Sequence, residues 1–233
     1  MRRVFLLACG LSALLAGCAG KVVSVTDEAG FRNLARHFAP ALQARQILDS
    51  DGDWQEPLIA FASAPADAGD RLYRRLCPAF RFRAEDAPFA PATFAASWAE
   101  GDEQKITPHG FTLVQGMRRV QVSLLALVDW NSDGTDDWLV LCAVRAVQSP
   151  AGEDERDYYL LIEDPGAALI RPQVIGVYDC RNRRCAAYAG AGGWQPESLV
   201  VELLAGQRVV TVPPAKSAKN RKLDVLQERA LRR

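Results

Sequence analysis

The sequence predicts an α+β fold: an antiparallel β meander packed against N-terminal helices in one main domain. Apolar residues recur at helical spacing early in the chain, with Phe31, Leu34, Ala35, Phe38 and Leu42 on one stripe. After Pro108 the pattern changes to β-branched and aromatic runs separated by turn residues. The 233 residues, less an apolar leader, suit a single domain with a sizeable core.

In the leader, "MRRVFLLACGLSALLAGCAG", Arg2 and Arg3 precede an apolar run from Val4 to Leu15 that is too short to span a bilayer. That is the pattern of an export signal. "RRVFL" lacks the polar leader of a twin-arginine signal, so ordinary secretion is favoured. The segment ends in "LAGC", Leu15 to Cys18, which resembles the lipobox of bacterial lipoproteins. The resemblance implies that residues 1–17 are removed and that Cys18 becomes an acylated N-terminus. Several acyl chains on one residue make a stable anchor, where a single chain is marginal. On the same resemblance, Ala19 in place of an aspartate implies the outer membrane of a Gram-negative bacterium, facing the periplasm.

Removing the leader leaves 26 basic and 28 acidic residues, distributed unevenly. Residues 214–233 form a basic tail of net charge +5, and residues 18–213, the expected α+β domain, carry −7. The tail reads as solvated and partly helical, with Leu223, Leu226, Ala230 and Leu231 loosely on one face. A basic tail on an acidic body suits contact with anionic headgroups, peptidoglycan or a protein partner. An exported chain is not expected to meet nucleic acid.

Four cysteines remain in the mature chain: Cys77, Cys142, Cys180 and Cys185. An oxidising compartment favours two disulfides. Cys180–Cys185 with Cys77–Cys142 is the preferred pairing of the three, because "DCRNRRC" closes as a small loop at a turn. The spacing is neither a C-x-x-C redox motif nor the paired short spacings of a zinc site.

In the first helix, Thr26 can cap the N-terminus, Asp27 and Glu28 suit the first turn, and Pro40 kinks or divides the segment. His37 lies off the apolar stripe and reads as a surface residue. Further short helices are expected over Asp70–Leu76 and Pro91–Glu100. The strand runs are "GFTLVQG", "RVQVSLLALV", "WLVLCAVRAV", "DYYLLIE" and "LIRPQVIGVYDC", with a hairpin about Ala205–Gln207. The second and third are apolar on both alternating faces and should be interior strands covered on both sides. "PAGEDER", Pro150 to Arg156, has no apolar anchor and reads as a mobile loop.

Between the two most apolar strands stands "VDWNSDGTDDW", with four carboxylates and no basic side chain. Counting from Asp129, oxygen-bearing side chains occupy positions one, three, five and nine: Asp129, Asn131, Asp133 and Asp137, with Gly134 at six. Calcium takes six to eight oxygen ligands, and alternating donors about a tight glycine turn wrap a chain around the ion. An EF-hand needs a glutamate at position twelve, where this chain has Val140. The shorter pattern resembles the calcium loops of FG-GAP and VCBS repeats over about fifteen residues, without the chain length a propeller requires. The resemblance implies Asp129, Asn131, Asp133, Thr135 (through its carbonyl) and Asp137 as ligands, with Asp136 facing water. The competing reading is an acidic turn with no ion, since Asn, Asp, Ser and Gly favour turns. A second stretch, "DSDGDWQEPLIAFA", offers Asp49, Asp51, Asp53 and Glu56 as a poorer match, with Trp54 where the turn glycine should stand.

Two classes of function follow. One is a calcium-stabilised envelope lipoprotein that binds or supports a protein, glycan or peptidoglycan partner. The alternative is an envelope hydrolase acting on glycan or peptidoglycan through a carboxylate pair, which has no sequence signature of its own. The mature chain has only His37 and His109, with His109 in a turn context, and lacks G-x-S-x-G and H-E-x-x-H. Binding or structure is therefore favoured over catalysis.

Cys18→Ser should leave an unprocessed or soluble precursor that no longer takes up radiolabelled palmitate. A serine variant that still fractionates with membrane and still incorporates label would refute the lipobox reading.

Overall fold

The computed structural model describes residues 22–48, 59–78, 80, 93–97, 103–115, 117–148, 153 and 155–189. In chain order its elements are β1 (Val23–Val25), α1 (Glu28–Gln43), β2 (Ile59–Phe61), α2 (Ala68–Arg75), α3 (Phe94–Ser97), β3 (Glu103–Thr107) and β4 (Gly110–Gln115). There follow β5 (Arg118–Val128), β6 (Asp137–Ala146), β7 (Glu155–Ile162), β8 (Gln173–Arg181) and β9 (Arg184–Ala189). They build one α+β domain around a nine-stranded sheet of order β2-β1-β5-β6-β7-β8-β9, with the β3–β4 hairpin also joined to β5. From β3 onward each strand pairs antiparallel with its successor, the expected meander. The β1–β2 pair is parallel.

β5 is long enough for two strands to share one of its edges. Its first half, Arg118–Ser123, pairs with β4, and its end, Ala126–Val128, pairs with β1. The change of partner falls at a β-bulge between Leu124 and Ala126. Backbone groups there find other partners: Leu124 N–H donates to the His109 carbonyl at 2.9 Å, and the Leu125 carbonyl accepts from Thr26 and Asp27 N–H at 2.8 and 3.1 Å. The bulge also reverses which residues face which side. Val120, Val122 and Leu124 enter one core cluster, whereas Leu125, Ala126 and Val128 enter the other.

Both faces of the sheet are covered, which explains the two-sided apolar patterning of β5 and β6. On one face lie Ala68, Leu72 and Leu76 from α2 and its C-terminus, with Phe94 of α3. On the opposite face lie Phe31, Leu34, Ala35, Phe38 and Leu42 of α1. Helices thus flank the sheet on both sides.

α1 has its kink where Pro40 removes an N–H donor, and Phe38 leaves helical geometry (φ −131°, ψ 29°). The kink places two consecutive aromatic rings on the sheet. Phe38 packs edge-on to Tyr159 at 5.2 Å and His37 stacks on Tyr178 at 4.1 Å. His37 is therefore half-buried against a ring, not the surface residue expected from its place off the stripe. Burial, then neighbouring Arg36, lowers its pKa, against an opposing pull from Asp157.

Four further expectations are corrected. The helix cap is Asp27, whose carboxylate accepts from Gly30 N–H at 3.0 Å, because the Thr26 hydroxyl donates to the Leu124 carbonyl instead. The second helix begins two residues early, at Ala68, with Gly69 N–H donating to the Pro108 carbonyl. Glu155 and Arg156 belong to β7 and not to a loop, since Arg156 pairs with Asp179 of β8 at 2.8 Å. Cys180 and Cys185 are bonded across β8 and β9 as expected, but no bond joins Cys77 to Cys142. Both are buried, and desolvation pushes the Cys142 thiol up, so it behaves as a small apolar group. Of the expected third helix, Phe94–Ser97 is described, and the Ala205–Gln207 hairpin lies outside the described residues.

Gly176 on β8 is the contact point for the kinked helix: a Cβ there would stand 2.4 Å from the Phe38 ring. Phe38 is held by Tyr159 and cannot withdraw without loss. Gly176→Ala should cost about 1–3 kcal/mol by overpacking, whereas Gly166→Ala, at an exposed turn, should stay within about 0.5 kcal/mol. Equal denaturation midpoints for the two variants would contradict this packing.

Candidate metal loop

The β5–β6 hairpin is the most extensively paired in the sheet, and its last pair is Val128 with Asp137. Eight residues, 129–136, connect them. Two tryptophans clamp this loop into opposite layers. Trp130 is buried in the cluster under α1, and Trp138 in the cluster under α2. Each ring is covered by a guanidinium, Arg45 at 5.3 Å from Trp130 and Arg71 at 5.2 Å from Trp138, which adds cation–π attraction. The two covering groups, Arg45 and Arg71, were not singled out in the sequence. The tryptophans at either end of the acidic stretch were their one visible signal.

Within the loop, side-chain oxygens turn inward to backbone N–H groups. Asp129 accepts from Asp133 and Gly134 N–H, both at 3.0 Å, and Asn131 Oδ1 accepts from Asp133 N–H at 3.0 Å. Asp133 Oδ1 accepts from Thr135 N–H at 2.8 Å and from the Thr135 hydroxyl, while Oδ2 accepts from the Asn131 amide at 2.9 Å. These bonds hold the Asp133 carboxyl below its usual range, the Thr135 hydroxyl first. Ser132 and Gly134 take left-handed conformations, φ 65° and 86°. Nothing lies within 4 Å of a Cβ built on Gly134, so backbone conformation and not space favours glycine at this turn.

Asp137 differs from the rest. Residues 131–136 are exposed, but Asp137 is 0% exposed. Its Oδ2 accepts from Trp130 N–H at 2.8 Å, and its Oδ1 is buried with no hydrogen-bond partner among the described residues. Burial pushes its pKa up, opposed by the Trp130 and Asn131 N–H groups and reinforced by the charges of Asp133 and Glu163. An ionised carboxylate oxygen buried without a donor is costly unless a cation meets it.

The structure therefore brings Asp129, Asn131, Asp133, Thr135 and Asp137 into one loop, with Asp136 exposed. The side chains of this stretch offer only oxygen donors, the type that hard cations prefer. Among the described residues, no three carboxylate, thiol or imidazole side chains converge at metal-binding geometry. The second stretch, Asp49, Asp51, Asp53 and Glu56, lies outside the described residues, as does Cys18.

The alternative reading, hydrolysis through a carboxylate pair, carries no assigned residues. Glu155 and Asp157 stand two apart on one face of β7. Both are engaged by Arg145, at 3.7 and 2.6 Å, and Arg145 also donates to the Val144 and Arg156 carbonyls. Burial raises the Asp157 carboxyl, with Arg145 opposing. This is an ion network closing the sheet surface. His109 sits in the exposed β3–β4 turn, where its carbonyl serves Leu124. The chain matches no protein family, no curated protein and no solved structure.

Proposed function

We propose that this protein is a membrane-anchored envelope lipoprotein whose folded part is a calcium-stabilised binding or structural module. The observation that carries the reading is Asp137 Oδ1, a buried carboxylate oxygen without a hydrogen-bond partner among the described residues, at the end of a loop rich in side-chain oxygens. Calcium would be held by Asp129, Asn131, Asp133, the Thr135 carbonyl and Asp137. It would neutralise the loop's crowded carboxylates and fix the turn between the two central strands.

The envelope assignment rests on the "LAGC" motif and on the oxidised Cys180–Cys185 pair, which suits a periplasmic location. The anchor would be Cys18, five residues before the start of β1 at Val23, so the sheet would stand close to the outer membrane. Partners of the module would be an envelope protein, a glycan or peptidoglycan.

An ion that binds only the folded state stabilises it by about 2.7 kcal/mol at a hundredfold excess over Kd. For a domain of this size that is a rise in Tm of roughly 5–10 °C, reversed by a chelator. Asp133→Ala should lose most of the rise, and Asp136→Ala should keep it. Magnesium should substitute poorly, because it retains its waters and demands stricter octahedral geometry. Calcium-independent melting of all three proteins would overturn the proposal.

A further inference from the structure

The β5–β6 loop offers an ion five oxygen-bearing groups, Asp129, Asn131, Asp133, the Thr135 carbonyl and Asp137, whereas calcium takes six to eight oxygens. In an EF-hand a bidentate glutamate at position twelve of the same loop completes the set. Here that position is Val140, which is buried within β6 and offers no side-chain oxygen.

The neighbouring strand supplies a carboxylate at the right place. Trp138 of β6 pairs with Ile162, the last residue of β7, and both enter the core under α2. One step further in the same direction stand Asp137 and Glu163, and because side chains alternate along a strand the two fall side by side on the opposite face. The position of Asp137 agrees, since its partner on β5, Val128, lies in the core under α1. Glu163 is exposed, and its charge opposes ionisation of Asp137. Asp137 itself is 0% exposed, and its Oδ1 has no hydrogen-bond partner among the described residues. Two neighbouring carboxylates, one of them buried, repel each other unless a cation lies between them.

Glu163 also leads into a fixed turn. Asp164 Oδ1 accepts from Gly166 N–H at 3.1 Å, Arg75 donates to the Gly166 carbonyl at 3.1 Å, and Arg71 donates to the Pro165 carbonyl at 3.4 Å. Arg71 is the group that covers Trp138, so one residue of α2 ties this turn to the end of the β5–β6 loop. Little ordering of the backbone at Glu163 is then required on binding.

We propose that Glu163 is a further calcium ligand, contributed to the β5–β6 loop from the end of β7. This inference rests on the calcium reading of that loop. With Glu163 in the set, the ion joins three strands instead of closing one hairpin, and the added charge raises affinity. Asp164, next in the chain, is engaged by its own turn and takes no part.

The test uses the full-length protein in a maltoside detergent, loaded with europium, an oxygen-seeking ion of calcium's size, which calcium then displaces. Luminescence lifetimes in H2O and D2O count the waters on the bound europium. Glu163→Ala should add about one or two waters, according to whether the carboxylate binds through one oxygen or both, and should raise the calcium Kd about tenfold. Asp164→Asn removes a charge of the same turn and should leave the water count unchanged and the Kd within about twofold. Both residues are exposed, so each variant should melt with the wild type in chelator. An unchanged water count in Glu163→Ala, whatever its Kd, would reduce Glu163 to a neighbouring charge and overturn the inference. Asp133→Ala separates that outcome from failure of the loop. Europium that binds the wild type and is lost from Asp133→Ala upholds the loop even where Glu163 fails, whereas a wild type that binds no europium removes both.

Discussion

The carboxylate of Asp137 joins the local chemistry of the loop to the packing of the whole sheet. It opens β6, sits in the last register pair of the central hairpin, and holds the Trp130 N–H from across the turn. Trp130 in turn enters the core beneath α1. Displacing this carboxylate would release the tryptophan, and with it the layer into which the chain's first helix packs. Its second oxygen is buried with no hydrogen-bond partner among the described residues, an arrangement that is costly when the group is ionised.

Around that hairpin the fold is arranged by the length of β5. A strand of eleven residues gives one edge to both β4 and β1, with the bulge near Leu125 as the point of exchange. Because the bulge switches faces, β5 supplies apolar residues to both cores, and helices can cover both sides of one sheet. Trp130 and Trp138 repeat this two-sided anchoring at the loop itself. The loop is exposed at its tip and buried at both ends, a geometry in which ion binding would be transmitted to the two layers together.

Much of this was legible in the sequence where a period was long and uninterrupted. The α1 stripe, its Pro40 kink and the strands from "GFTLVQG" to "VIGVYDC" follow from spacing alone. β1 was not legible because three residues carry no period, and β3 and β9 because "EQKIT" and "RCAAYA" are largely exposed edges. Thr26 and Asp27 are both capable caps, and the choice between them was made by a carbonyl 98 residues away. Glu155 and Arg156 read as loop because they are charged, and became strand because Asp179 lies opposite, 23 residues on. The loop's oxygen alternation and its left-handed glycine were visible in advance. That Asp137 alone would be buried was not, since burial depends on where Trp130 packs.

The central proposal is that the buried Asp137 carboxylate helps to hold a calcium ion, and the isosteric Asp137→Asn variant tests it most directly. Asparagine keeps an oxygen for the Trp130 N–H and removes the charge. The measurement is the unfolding free energy of wild type and variant by denaturant titration, with chelator and with calcium at a hundredfold excess over Kd. The account predicts that the two proteins lie within about 1 kcal/mol of each other in chelator. It predicts that calcium separates them by about 2.7 kcal/mol in favour of the wild type. An identical gap under both conditions would contradict it and leave Asp137 as a turn residue only.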